Sequence, residues 1–101
     1  MTGNEIRHMV VFSLRHPQGS QAEQAFLQDG ERILSAIPVV RGFEVLRQVS
    51  PKATYEFGFS MVFEDRAAYE TYNNHPSHQA FVRERWQTEV AAFQEIDFAA
   101  L

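Results

Sequence analysis

The sequence predicts an α+β fold in which an antiparallel sheet carries its helices on one face. Three observations predict it: stretches whose apolar residues alternate with period two, stretches with helical spacing behind recognisable caps, and the order in which they occur. From Ile6 to Leu14, the residues Ile6, His8, Val10, Phe12 and Leu14 fall on one face and Arg7, Met9, Val11 and Ser13 on the other. Both faces are partly apolar, the pattern of a central strand covered on both sides. After the loop Arg15-His16-Pro17-Gln18-Gly19, Ser20 followed by Glu23 forms a capping-box pattern that opens a helix. Ala22, Ala25, Phe26, Ile33 and Ile37 recur at helical spacing, and Pro38 stops the run because its ring and missing N–H cannot continue the ladder. Gly30 is a weak point within that helix by its low propensity.

Phe43, Val45 and Val49 alternate with Glu44, Leu46 and Gln48 in a second strand, which the turn residues Ser50-Pro51-Lys52 end before a hairpin partner. Tyr55, Phe57, Phe59, Met61 and Phe63 occupy alternate positions of that third strand and must face a substantial core. Asp65 caps a short helix carrying Ala68, Tyr69 and Tyr72, and Pro76 suits the first turn of another that runs to about Phe93. His78, Val82, Trp86, Glu89 and Phe93 share one stripe of it. A short last strand, Ile96-Asp97-Phe98, completes the order β-α-β-β-α-β, which is the ferredoxin-like one. Helices on one face leave Met9, Val11 and Val62 on the other without cover. A second copy covers them most simply, because back-to-back packing of two such sheets is self-complementary, so a homodimer is expected.

The chain has 101 residues, which suits a single domain over residues 1–101. Hydrophobic residues at 45% and charged residues at 22% are the balance of a globular protein, and nine Phe demand burial in a chain with little interior, which favours oligomerisation. The net charge of −4, with Arg83 and Arg85 accompanied by Glu84 and Glu89, offers no basic face for nucleic acid. The absence of cysteine excludes disulfides, thiolate catalysis and Cys-based zinc sites. Met1 to Glu5 lacks the basic start and apolar core of a signal peptide, so a cytoplasmic location is expected. The longest apolar run, Met9 to Phe12, is far short of the roughly 20 residues that span a bilayer, so no membrane association is expected.

Arg7-His8-Met9-Val10-Val11-Phe12, Ile37-Pro38, Phe63 and the run from Tyr72 through His75-Pro76-Ser77-His78 to Phe81 resemble the stress-responsive A/B barrel, or Dabb, family. The resemblance extends from Ile6 to Phe98, and its most specific part is the His-Pro-x-His element behind a helix ending in Tyr. It implies a dimeric α+β barrel. Plant members include a polyketide cyclase that performs an intramolecular aldol condensation without metal or cofactor. The resemblance to it implies a catalytic pair of Tyr72 and His78, with His8 lining the pocket and no cofactor. Phe57 departs from the cyclase pattern, standing where the cyclase has another pocket His, and this counts against the same substrate and reaction. Phe57 and His75 join His8 as candidate ligand contacts.

Chemically, an aldol closure needs a base for an α-proton and a donor for the developing enolate or alkoxide. His78 sits in the first turn of its helix, where the helix dipole disfavours the imidazolium and keeps the ring available as a base. Tyr72 donates from its phenol, and a turn through Asn73-Asn74-His75-Pro76 brings the two over one cavity. On a purely structural reading, Tyr72, His75 and His78 tie two helices to the sheet by hydrogen bonds. His8 is either a satisfied core residue or a polar group on a cavity wall. His75 and His78 lack a neighbouring carboxylate at ligand spacing and have Pro76 between them, so no metal site is expected. His16 is expected to face solvent. Trp86 and the third-strand aromatics are core or the apolar wall of a pocket, and Asp97 belongs to a strand end without a role. The leading reading is a domain binding an apolar, carbonyl-bearing small molecule, with cyclase-like or lyase-like chemistry. The alternatives are a non-catalytic stress or assembly protein, and a cofactorless monooxygenase using a His and Trp86.

Overall fold

A computed structural model describes residues 3–101. Met1 and Thr2, the first residues of the domain expected over 1–101, lie outside the described residues. The strand β1 (Ile6–Leu14) is central, as its two-faced apolar pattern requires, in a four-stranded sheet of order β2-β3-β1-β4. It pairs antiparallel with both β3 (Phe57–Phe63) and β4 (Val90–Ala99), while β2 (Arg41–Arg47) pairs with the outer edge of β3. The helices α1 (Gln21–Ser35), α2 (Arg66–Asn74) and α3 (Pro76–Phe81) cover one face. The ferredoxin-like arrangement is therefore as expected.

Ser20 caps α1 by accepting from the Glu23 N–H at 3.2 Å, and the Glu23 carboxylate reaches back to the Gly19 N–H at 3.0 Å. This is the capping box displaced by one residue on its return bond. The buried stripe of α1 consists of Glu23, Phe26, Gly30 and Leu34, whereas Ala22 and Ala25, expected on it, are exposed. Gly30 is more than a weak point. A Cβ there would stand 2.8 Å from Phe59 Cζ and 3.3 Å from Phe81 Cζ, so the absent side chain is what lets α1 settle on the sheet. Phe59 cannot retreat, because its ring is enclosed by Phe12 at 4.8 Å and Phe43 at 5.2 Å between centroids.

The second strand ends at Arg47, and Val49 is 84% exposed, so the expected extension to Val49 is not observed. Gln48 instead uses its side chain to bond the Tyr55 carbonyl at 2.8 Å, closing the hairpin loop. A register shift between Arg41 and Glu44 is accommodated by Gly42, whose φ of +59° a side chain would disfavour.

The larger correction concerns the last helix. It ends at Glu89, after a π-helical segment, Val82–Trp86, and a final turn, α4 (Gln87–Glu89). Val90 to Phe93, which continue the helical stripe in sequence, are strand: Phe93 lies opposite Phe12 and Val90 opposite Leu14. Periodicity favours helix there, but the free edge of β1 needs backbone partners, and that tertiary demand prevails. His16 is also not solvent-facing. Its Nε2 lies 2.6 Å from Glu89 Oε1, and Arg85 grips the other Glu89 oxygen and, at 2.7 Å, Asp29. This fastens the β1–α1 loop to the turn where α4 becomes β4.

The opposite face of the sheet has no helix. Register places Val62 and Phe98 beside Arg7, and Ile96 beside Met9, so Met9, Val11, Leu46, Val62, Ile96 and Phe98 share it. Phe98 is 50% exposed and Ile96 38%. No helix among the described residues is long and apolar enough to cross a membrane.

Gly30→Ala should destabilise the protein despite the better helix propensity of alanine. Propensity returns about 1 kcal/mol, whereas overpacking against an enclosed ring costs about 1–3 kcal/mol. A thermal melt is expected to show Tm lowered by roughly 4–8 °C for a net loss near 1 kcal/mol.

Candidate functional site

Between sheet and helices lies a cavity of about 250 Å³. Val10, Phe59 and Met61 form its floor, Leu34 closes one side, and Phe81 and Trp86 descend from the helical layer. Into this apolar space project His8, Tyr72, His78 and Glu95, with Phe93 beside Glu95 on the edge strand. His8, Tyr72 and His78 are thus brought together as expected. Phe57 and His75 are not with them. Phe57 is buried beside Phe12, with Arg47 over its ring at 5.3 Å, and His75 lies on the outer surface by Ala67 and Glu70.

The turn between α2 and α3 explains the meeting of Tyr72 and His78. The Asp65 side chain caps α2 through the Ala68 N–H at 2.8 Å, which fixes where the helix starts and which face carries Tyr69 and Tyr72. His75 adopts extended backbone, as the residue before a proline must, and ends α2. Its Nδ1 accepts from the Ser77 N–H at 3.1 Å, so His75 is the N-cap of α3 and Pro76 its first residue. This restarts the helix within one residue and lays the His78 ring against Tyr72, with centroids 4.3 Å apart.

Each histidine in the cavity is held by one nitrogen. His78 Nδ1 lies 3.2 Å from the Asn73 carbonyl oxygen, which only accepts, so Nδ1 carries the proton and Nε2 has the free lone pair. Burial lowers the His78 pKa below its ordinary value, against the opposing Asn73 bond, and nearby His8 lowers it further. Burial, rather than the helix dipole invoked from sequence, is the largest cause. His8, 4% exposed, has its Nδ1 2.6 Å from Asp97 Oδ1 and 2.8 Å from the Tyr69 hydroxyl oxygen. Tyr69 in turn donates to Asp97 Oδ2 at 3.0 Å. One carboxylate thus receives two donors and fixes the tautomer of His8, leaving its Nε2 without a partner among the described residues.

Tyr72 differs from both. It is 2% exposed, and among the described residues nothing hydrogen-bonds its hydroxyl. The hydroxyl is not a fully enclosed unpaired atom, which among the described residues is Glu23 Oε2; it opens onto the cavity that Tyr72 lines. Burial pushes its phenol well above the ordinary pKa, so it remains a donor at any working pH. The structural reading therefore fits His75, which caps a helix, and one edge of His78, but not the Tyr72 hydroxyl.

Sequence reasoning missed Asp97, Tyr69 and Glu95. The spacing of Phe93, Glu95 and Asp97 is that of one strand face, and the signal was usable only if the strand began at Val90. Register then sets Asp97 opposite His8 and Glu95 opposite Val10. No cluster of three or more metal-ligating side chains occurs among the described residues.

The family model described as Stress responsive A/B Barrel Domain, Dabb, matches residues 6–100. No curated protein matches the sequence. A Dabb family protein of Mesorhizobium loti with a ferredoxin-like fold, known from its crystal structure, is 57% identical over 97% of this chain and 98% of its own, with a TM-score of 0.96. A dimeric ferredoxin-like protein of unknown function from Thermobifida fusca is 18% identical over 99% of this chain and 94% of its own, with a TM-score of 0.80. A hydroxynitrile lyase from Passiflora edulis is 12% identical over 98% of this chain and 95% of its own, with a TM-score of 0.84. The latter two likenesses concern the fold alone. The matched residues 6–100 and the identity to the Mesorhizobium protein lead to one conclusion: this chain belongs to the Dabb, or stress responsive A/B barrel domain, family.

Proposed function

We propose that the protein is a homodimer that binds a compact, apolar, carbonyl-bearing molecule and makes or breaks a carbon–carbon bond at that carbonyl without a cofactor. The observation that carries this reading is an apolar cavity onto which His8, His78 and the Tyr72 phenol all open, with the Glu95 carboxylate at its mouth. Such a set offers bases and a donor side by side on a largely apolar wall. At about 250 Å³ it is slightly smaller than the roughly 300–1,000 Å³ of drug-sized sites, which favours a single ring with a short substituent.

The chemistry runs in either direction through the same groups. In the forward sense His78 Nε2 takes an α-proton, the C–H electron pair moves into an enolate whose oxygen accepts from the Tyr72 hydroxyl, and the enolate carbon attacks a second carbonyl. The resulting alkoxide then recovers the proton from His78. In the reverse sense the base takes the proton of a hydroxyl, the adjacent C–C bond breaks to leave a carbonyl, and the departing carbanion, cyanide in the case of a hydroxynitrile, takes the proton. The Passiflora lyase has its activity on this fold, which supports the second sense by analogy only. His8, held by Asp97 and Tyr69, serves as the second proton carrier in this reading. The apolar helix-free face, together with the dimeric state of the Thermobifida protein, supports the homodimer.

Proton exchange provides a test that does not require the natural substrate. In D2O the protein is expected to accelerate α-deuteration of phenylacetone, followed by NMR, or to cleave mandelonitrile, followed by benzaldehyde absorbance. His78→Ala should reduce either rate by about 10²–10⁴-fold, the usual worth of a positioned base. Tyr72→Phe should lower the rate while leaving the thermal melt nearly unchanged, since its hydroxyl has no protein hydrogen bond to lose. Absence of both reactions and of any binding by either compound would leave the non-catalytic assembly reading in place.

Because burial depresses the His78 pKa, the base is protonated only below its ordinary value of 6.5, and the acid limb of the rate should fall below that pH. The same sign governs stability: protonation favours the unfolded chain, so the contribution of neutral His78 is present above pH 6.5 and declines as pH falls toward the folded-state pKa. His78→Ala is expected to flatten the dependence of Tm on pH in that window. For the dimer, light scattering at micromolar concentration should report twice the chain mass, and Val11→Lys should shift the mass toward monomer by burying an unpaired charge in the contact. A wild-type monomer mass, or an unchanged association constant in the variant, would refute the interface.

A further inference from the structure

We propose that the molecule bound in the cavity carries a carboxylate on a short arm, and that Arg83 receives it in a polar groove on the other side of the His78–Val82 wall. The proposal rests on the reading of the cavity as a small-molecule site and names the substrate class more closely.

Two compartments share a wall. A groove of about 340 Å³ on the outer surface is lined by Asn73, Gln79, Arg83 and Gln87, together with His78 and Val82. His78 and Val82 also line the inner cavity. The His78 ring therefore spans the division: its Nδ1 edge is bonded to Asn73 of the groove, while one face rests on Tyr72 of the cavity. A ligand whose reacting carbonyl lies by His78 has only the width of that wall between its body and the groove.

The two compartments differ in chemistry. Apart from the histidines, the ionisable acid of the inner cavity is Glu95, which repels an anion. The groove has no acidic lining residue; its charge is Arg83, and its remaining polar groups are the amides of Asn73, Gln79 and Gln87. Those three side-chain amides make no hydrogen bond to any described residue, so their donors are available. An anionic group is thereby directed outward and an apolar body inward.

Arg83 is free to act. Its nearest acid is Glu84 at 4.0 Å, and the two side chains are 68% and 64% exposed. An ion pair that long and that exposed is worth about 0–1 kcal/mol. A carboxylate tethered to a body already seated in the cavity arrives at high effective concentration and meets a planar fork that matches its geometry.

The test uses 4-benzoylbutyrate and its methyl ester, which share an aryl ketone and differ in the charge of the arm, titrated by calorimetry into the intact protein. The acid is expected to bind about tenfold more tightly than the ester, in line with a charged hydrogen bond. Arg83→Gln should remove that preference with ester affinity unchanged, and Arg83→Glu should invert it. The residue is exposed, and unchanged melts should accompany both variants. Equal binding of the two compounds by the wild type, or a preference that survives Arg83→Gln, would overturn the carboxylate arm while leaving the cavity as a ligand site. Failure of both compounds to bind would remove the cavity reading and this proposal with it.

Discussion

Strand β1 must find backbone partners on both edges while its side chains divide between two faces, and most of the molecule follows from that requirement. On one edge β3 supplies Phe57, Phe59, Met61 and Phe63, so the helix-covered face is built largely of aromatic rings. On the other edge β4 has to run the full length of β1, which it does from Val90 to Ala99. A shorter last strand would leave the N–H and C=O groups of Phe12 to Leu14 beneath the helices without partners, at a cost of about 1–3 kcal/mol for each buried group. The same antiparallel register that satisfies the backbone brings Asp97 beside His8 and Glu95 to the mouth of the cavity. A structural demand thus installs the acidic groups of the site.

The legible parts of the fold were those in which one residue type has one local consequence. Ser20 and Asp65 cap helices, Pro76 opens one, and alternation marks β1 and β3, each through contacts within a few residues. The pair of Tyr72 and His78 was implied by the resemblance to the Dabb family, and the sharp restart of the helix at His75-Pro76 that brings their rings together is a local event. What was not legible depended on distant partners. Val90 to Phe93 have a helical period in isolation and become strand because β1 is vacant beside them. Gly30 reads as a defect until Phe59 and Phe81 are seen against it. His16 reads as a loop residue until Glu89, 73 positions away, is brought to it. Asp97 reads as a strand end until the cross-strand register, which a sequence does not display, sets it opposite His8.

The π-helical segment also answers to distant packing partners. Val82 and Trp86 both line the cavity, yet Trp86 also packs on Phe12 at 5.0 Å and on Phe93 at 5.5 Å. A regular helix from Pro76 would present its apolar stripe with a fixed twist. Widening by one residue, closed by the bond from the Gln87 N–H to the Val82 carbonyl, lets the second half of the helix present Trp86 to the sheet while the first half keeps His78 at the cavity. Such segments are poorer in hydrogen-bond geometry than α-helix, and they persist where the surrounding packing over-determines them. Here the clasp of Arg85 to Asp29 and Glu89, in the same segment, supplies part of that determination.

A core so rich in phenylalanine would ordinarily be filled, and a 250 Å³ space within it forgoes dispersion contacts that close packing would give. The loss is compounded by the polar groups that face it, because desolvated imidazole and phenol must be satisfied or left wanting. His8 and His78 are each satisfied on one side only, through Asp97 and Tyr69 and through the Asn73 carbonyl. Tyr72 is satisfied on none among the described residues. Filling the cavity with aliphatic side chains would restore those dispersion contacts without disturbing a single cap or strand pairing. Natural sequences sit close to the stability that function requires, and features that are costly and easily removed persist where something other than stability maintains them. An unfilled cavity, two half-satisfied histidines and a phenol that opens onto the same space are features of this kind, and the strand pairing and helix caps demand none of them.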